Sequence, residues 1–249
     1  MLRMFDSLRP YVNFRSIART TVDQFMTIPA AAPHWAGMLL RQVFPSSCVF
    51  CGASGMERDL DLCTHCDRLL PTAAEPASAN QLVPFAYRWP MDRMIRDLKF
   101  HGDLRYARLL GLLLARAAKL RVNSMGGSGA SALPEAIVPM PLHAQRFRER
   151  GFNQAEKLAR HAARELGLPL DTQSLVRVRH TPPQTAADAA ERRRNMHGAF
   201  AARPAIPWRH VALLDDVVTT GSTLAAAQRA LQQAGVLRVE LWAIARAAR

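Results

Sequence analysis

The thirteen residues Val211–Thr223 constrain this chain more than any others. They read Val-Ala-Leu-Leu-Asp-Asp-Val-Val-Thr-Thr-Gly-Ser-Thr. Four apolar residues, Val211–Leu214, make a buried strand. The alternation of strands and helices around it points to an α/β fold, a parallel sheet covered on both faces. Asp215 and Asp216 stand at the C-terminal end of that strand, where open α/β sheets bind their ligands. A hydroxyl-rich loop with one glycine then opens a helix at Leu224. Backbone N–H groups at the helix start, with the macrodipole behind them, suit a phosphate. Gly221 lets the backbone come close, and Thr219, Thr220, Ser222 and Thr223 supply donors. The two carboxylates suit vicinal hydroxyls or a hydrated magnesium ion. One strand end therefore matches a ribose bearing a 5′-phosphate. A Walker loop is excluded, because G-x4-G-K-[ST] is absent and no lysine is nearby. The plain alternative is a helix start whose acids only favour its positive end.

The four cysteines fall within nineteen residues, as Cys48-x2-Cys51-x11-Cys63-x2-Cys66. Each C-x2-C knuckle can clamp one edge of a tetrahedral zinc ion, and the spacer lets the two knuckles face each other. Gly52 suits the tight turn after the second cysteine. A tetrathiolate shell is closed, so the ion would be structural, with His65 a bystander. Two disulfides or four free buried thiols are the alternatives; no signal peptide is visible, and a reducing compartment disfavours the disulfides. The expected location is the cytoplasm, with no membrane insertion: the most apolar stretch, Leu109–Ala115, is far short of the roughly 20 residues a span needs.

Four segments follow from this punctuation. Residues 1–37 read as a poorly ordered extension, 38–71 as the zinc module, 72–82 as a Pro/Ala/Ser linker and 83–249 as the main domain. Within the last, helical patterns begin at Met91 and run over Leu104–Val122 and Phe152–Leu166. Strands are expected at Ala136–Met140, Leu175–Val178, Val211–Leu214 and Val236–Ala245, and a helix at Leu224–Gln233 stopped by Gly235. The formal charge is +13, which makes polyanions natural partners. Of 33 basic residues only Lys99, Lys119 and Lys157 are lysines, so part of the excess reflects a preference for arginine.

The Val211–Thr223 stretch, with Val217 and Val218 between acids and loop, looks like the 5-phosphoribosyl-1-pyrophosphate (PRPP) signature of type I phosphoribosyltransferases. Further motifs agree. Leu98-Lys-Phe100 before Gly102-Asp103, Val138-Pro-Met-Pro-Leu142, Arg150-Gly-Phe-Asn-Gln154, Glu191-Arg-Arg-Arg-Asn195 and Gly198-Ala-Phe200 resemble the ComF family. The resemblance runs from about Met38 to the C-terminus. It implies a type I phosphoribosyltransferase-like sheet flanked by helices behind a small N-terminal zinc module, and a role in DNA uptake. It also implies PRPP or a related ribose 5-phosphate compound as ligand, with magnesium, and competence or DNA-processing proteins as partners.

Secondary candidates surround this site. In related transferases the end of the Ala136–Met140 strand cradles pyrophosphate, which draws attention to Arg146, Arg148, Arg150 and Asn153; a solvated charge run is the alternative. Gln184 and Arg192 lie in a long segment, Thr181–Ala199, that reads as a lid over the ribose or as a surface loop. Lys99 and Asp103 read as an exposed helix end. Three functions compete: a magnesium-dependent phosphoribosyltransferase with Asp215 and Asp216 as its central acids, a single-stranded-DNA-binding accessory factor, and an interaction adaptor with a vestigial pocket.

Overall fold

The structure is a computed structural model that describes residues 47–53, 60–73, 80–124, 133–179 and 198–247. The chain divides into two units, Met1–Ser46 and Ser47–Arg249, and every described residue belongs to the second. The expected extension 1–37 and the apolar stretch Met38–Phe44 lie outside the described residues, as do Gln184 and Arg192.

In chain order the elements are α1 (Thr64–Arg68), β1 (Gln81–Leu82), β2 (Phe85–Ala86), α2 (Met91–Arg96) and a π-helical turn at Asp97–His101. There follow α3 (Leu104–Ser124), β3 (Ala136–Pro139), α4 (Ala144–Arg150), α5 (Gln154–Leu166), β4 (Leu175–Arg177) and β5 (Phe200–Ala202). The last three are β6 (His210–Val218), α6 (Ser222–Gln233) and β7 (Arg238–Arg246).

Five strands form one parallel sheet in the order β3-β6-β7, with β1 and β2 in turn along the far edge of β7. A parallel sheet needs helices on both faces, so its central strand should be apolar on both sides. β6 meets this: Val211, Ala212, Leu213 and Leu214 are all buried, and Leu213 pairs with Val138 on one side and Leu241 on the other. The strand is longer than the four apolar residues suggest. Val217 and Val218 stay in register with Ala245 and Arg246, as branched side chains favour. The two aspartates therefore lie inside the strand and are held by its ladder instead of following it.

The Leu175–Val178 strand forms, but outside the main sheet. Beyond β3 the chain adds one parallel rung, with the Ile137 N–H donating to Pro169 O and the Asp171 N–H to Ile137 O, each at 2.9 Å. Asp171 then turns the chain away: its Oδ1 accepts the N–H groups of Gln173 and Ser174, both at 2.9 Å. Such side-chain capture of the next backbone donors is how aspartate makes turns. Trp208 Nε1 donates to Asp171 Oδ2 at 2.9 Å and pins the turn. β4 consequently pairs antiparallel with β5, Arg177 opposite Phe200.

Right-handed crossovers place α5, between β3 and its outer neighbour, and α6, between β6 and β7, on opposite faces. α3 packs on α5 at very close range. A Cβ at Gly111 would stand 2.7 Å from Leu158 O and 2.8 Å from His161 Cβ, so only glycine permits the crossing. The cysteine segment also leans on α3, where Arg108 Nε donates to Asp61 Oδ2 at 2.6 Å and Arg116 forms a two-bonded pair with Asp67. Both described ends of the Pro/Ala/Ser stretch are tied in as well: Thr72 bridges Phe85, and Gln81 begins β1.

Candidate functional site

The cysteine knuckles are built by local backbone geometry. Gly52 adopts φ 77° and its N–H donates to Cys48 O at 2.7 Å, closing the first turn. Cys63 caps α1, and its Sγ accepts the Cys66 N–H at 3.4 Å, closing the second. All four Sγ atoms lie within 4.8 Å of one another, and Cys51 and Cys63 approach to 3.7 Å. A tetrahedron with zinc–sulfur bonds of about 2.3 Å has edges of about 3.8 Å, so the donor set fits zinc. The cysteines are free thiols, three of them buried. Burial opposes ionisation of Cys48, yet backbone hydrogen bonds around it outweigh that and lower the thiol to about 6. Burial and the neighbouring sulfurs push Cys66 upward. A divalent ion held by Cys48, Cys51, Cys63 and Cys66 would offset the negative charge of their thiolates.

The second site is the carboxyl end of β6. The Asp216 N–H donates to Asp215 Oδ1 at 2.9 Å. Asp216 is 4% exposed, and Lys99 Nζ stands 2.9 Å from its Oδ2. That contact has ion-pair distance without hydrogen-bond geometry, so the buried oxygen retains accepting capacity. Burial, and then the charge of Asp216, push Asp215 up to about 7 against the pull of Lys99 and Arg177. A group poised like this marks functional sites more often than structural ones.

Immediately beyond, Thr219 and Thr220 are exposed and the chain turns into α6 through Gly221 at φ 75°. A Cβ at Gly221 would meet nothing within 4 Å. Space therefore does not demand glycine here; the left-handed backbone does. Thr220 Oγ1 and Ser222 Oγ share a hydrogen bond at 3.0 Å, which gathers the hydroxyls at the start of a twelve-residue helix. Thr223 follows in its first turn. The first N–H groups of such a helix lack intrahelical partners and face outward toward an anion.

Cations surround this strand end. On α4, Arg146 and Arg150 are half-buried, four residues apart and hence on one face, while Arg148 is exposed. Burial lowers the proton affinity of Arg150, while the negative charge of Asp216 holds it up. Arg177 behaves in the same way: burial and Arg146 lower it, and Asp215 raises it. Its guanidinium lies 5.6 Å from the Phe200 ring centroid, so the β4–β5 ribbon carries a stacked cation toward the acids. Asn153 has both ends of its amide engaged. It donates to Met140 O at 3.0 Å and accepts the Ala155 N–H at 3.0 Å, which caps α5 and braces the turn bearing the arginines.

Lys99 and Arg177 are the residues that sequence reading missed. Lys99 looked like an exposed helix end but is 21% exposed and faces Asp216. Its signal was the Leu98-Lys-Phe100 motif, whose meaning appears only when the π-helical turn is folded against β6. Arg177 is one arginine among many in an arginine-rich chain, and nothing local distinguishes it.

A phosphoribosyl transferase domain model matches residues 153–249, the part that holds α5 to β7. Competence protein F of Haemophilus influenzae is 35% identical over 201 residues, covering 80% of this chain and 85% of that one. The chain belongs to the ComF family. The DNA utilization protein YhgH of Salmonella typhimurium is 32% identical over 224 residues, or 88% of this chain and 94% of that protein. Competence protein ComFC of Streptococcus pneumoniae is 24% identical over 186 residues, 75% of this chain and 77% of that one. As the ComF resemblance implied, the sheet, its helices and the transferase domain occur together in one ComF-family chain.

Proposed function

We propose that this ComF-family protein binds PRPP at the carboxyl end of β6 and acts as a phosphoribosyltransferase-like protein in DNA uptake or use. The observation that carries the reading is one constellation: an acid pair, a phosphate-sized turn into α6, and cations from three other elements converging on it. Asp215 and Asp216 would accept hydrogen bonds from the ribose 2′- and 3′-hydroxyls. The Thr219–Thr223 turn would hold the 5′-phosphate through backbone N–H groups and hydroxyls. Lys99, Arg146, Arg150 and Arg177 would face the pyrophosphate, whose several charges explain so many cations at two carboxylates.

In a transfer, an acceptor's lone pair forms a bond to ribose C1 while the C1–O bond to pyrophosphate breaks, the pyrophosphate keeping the electron pair. Magnesium, which the acid pair and the pyrophosphate oxygens suit, supplies neutralising charge to that leaving group. The chain's own residues fix the ribose, gather the charge and leave C1 open to the acceptor. The relatives named for competence and DNA utilization support a place in DNA uptake or use. The cluster of free thiols supports a reducing compartment, the cytoplasm.

The test is calorimetric titration with PRPP, with and without magnesium. Wild type should bind, and binding should tighten with magnesium. Replacing both Asp215 and Asp216 by Asn keeps size and removes charge, and should weaken binding by about a hundredfold, the scale of two charge-assisted hydrogen bonds. Folded wild type that binds neither PRPP nor ribose 5-phosphate in the presence of magnesium would sink the reading.

A further inference from the structure

A separate cleft of about 510 Å³ lies between the first cysteine knuckle, the start of α3 and the middle of α5. Val49, Asp61, Leu104, Arg105, Arg108 and His161 are among the residues that line it, and none of its lining residues belongs to the β6 site. The two helices come together here because they cross at Gly111, where an added Cβ would strike the Leu158 carbonyl and the Cβ of His161. His161 is thereby held half-buried at the crossing.

The charge around His161 is one-sided. Burial, and then the positive charges of Arg108, Arg160, Arg164 and Lys157, hold its imidazole below the ordinary value, so it stands neutral with one N–H to give. Lys157 lies four residues before it and Arg164 three after, on the same side of α5. Carboxylates balance only part of this field: Arg108 pairs with Asp61, Arg105 with Asp103 and Arg160 with Glu156. Among the described residues no ion pair forms at Lys157 or Arg164. Arg108 donates to Asp61 through Nε alone. The N–H groups of its two Nη atoms remain, a planar fork of the kind that takes two phosphate oxygens at once.

The walls decide which anion suits. No aromatic ring lines the cleft, so nothing there would stack the bases of a nucleic-acid strand. Asp61 already supplies a carboxylate and the field stays positive, so the missing partner has to bring several negative charges in a small volume. We infer that this cleft is a second anion site for a compact di- or oligophosphate, with one phosphate group between the Arg108 fork and the His161 N–H and the next toward Lys157 and Arg164. The inference stands independently of what β6 binds. One wall is the knuckle and the others are α3 and α5, so an occupant would fasten the cysteine segment to the two helices.

The experiment titrates the full, zinc-loaded protein with inorganic pyrophosphate, without magnesium and at constant pH and ionic strength. The methyl resonances of Val49 and Leu104 report on the cleft itself, and an oligothymidine is run as a separate titrant. The expected result is a saturable shift with a dissociation constant below about 1 mM. Arg108→Lys keeps the charge but loses the fork, and should weaken pyrophosphate about tenfold, the loss of one charge-assisted hydrogen bond. His161→Gln leaves the Arg108–Asp61 pair intact and should also weaken it. Zinc content is measured on both variants, and if Arg108→Lys loses the metal then His161→Gln alone decides. No saturable shift with pyrophosphate overturns the inference, and the cations then serve only to offset the charge of the zinc thiolates. Saturation by oligothymidine but not by pyrophosphate overturns it too, making the cleft part of a strand-binding surface. So do variants that keep their zinc and bind pyrophosphate as tightly as wild type.

Discussion

At the scale of single residues, the site depends on a charge balance that is expensive to disturb. Asp216 is almost fully buried, and Lys99 is the cation at its Oδ2. Removing one partner of such a pair leaves a buried charge without compensation, at a cost of about 3 kcal/mol, whereas removing both is often nearly neutral. Lys99→Met should therefore destabilise the protein by about that amount in urea unfolding. Asp216→Asn added to it should restore most of the loss. Equal, additive losses from the two changes would show that the contact carries no coupling. The sequence disclosed Asp215, Asp216 and the Thr219–Thr223 turn because they are contiguous and each residue type suits one part of a ribose 5-phosphate. It did not disclose Lys99 or Arg177, which come from elements more than thirty residues away in the chain. Their role exists only through tertiary packing, and no local spacing encodes it.

Among the elements, the strands and helices with strong periodicity were legible, and the surprises came where hydrogen bonds to side chains redirected the chain. The Leu175–Val178 strand had the right residues but the wrong sheet, because Asp171 captures two backbone donors and turns the chain aside. β6 outran its apolar run because Val217 and Val218 extend the ladder past the acids. At the opposite end of the sheet, Glu240 joins three elements. Arg121 of α3 donates to its Oε2, as does Trp242 Nε1 at 3.0 Å, while His210 Nε2 and Arg238 Nη2 stand 3.0 Å from its Oε1. Burial alone would raise this carboxyl, but the Trp242 and Arg121 hydrogen bonds and the surrounding positive charge hold it below the usual range. A folded value below the unfolded one means that the unfolded chain binds more protons as acid is added. Its contribution is therefore complete above the unfolded value of about 4.3 and is lost as pH falls through the lower folded value. Glu240→Gln should cost about 3 kcal/mol at neutral pH, and the gap to wild type should narrow as the pH drops below about 4. Urea midpoints for both proteins across that range make the comparison, and a gap that stays constant in acid would contradict the assignment.

For the whole molecule, the question is whether the cysteine segment is an appendage or part of the fold. Read from the sequence, Cys48–Cys66 and the main domain looked like two modules joined by a Pro/Ala/Ser linker. In the folded chain Cys48, Leu60, Leu62, Cys63, Cys66 and Leu70 share one continuous buried cluster with Met91, Ile95 and Leu109. The Arg108–Asp61 and Arg116–Asp67 pairs fasten the same segment to α3, and α3 in turn packs on α5 through Gly111. A shared core should melt as one unit, and an ion that binds only the folded form stabilises everything coupled to it. Zinc removal by a chelator, or Cys51→Ser, should therefore lower a single melting transition for the entire described unit, by several degrees for each kcal/mol of binding energy lost. Cys51 is the exposed cysteine of the four, so its replacement costs little packing and the shift reports the metal. Calorimetry together with zinc content measured on the same samples provides the check. Two separate transitions, with the upper one unmoved when zinc leaves, would show that the module folds on its own. A sample that holds no zinc and melts identically with and without chelator would remove the metal from the fold altogether.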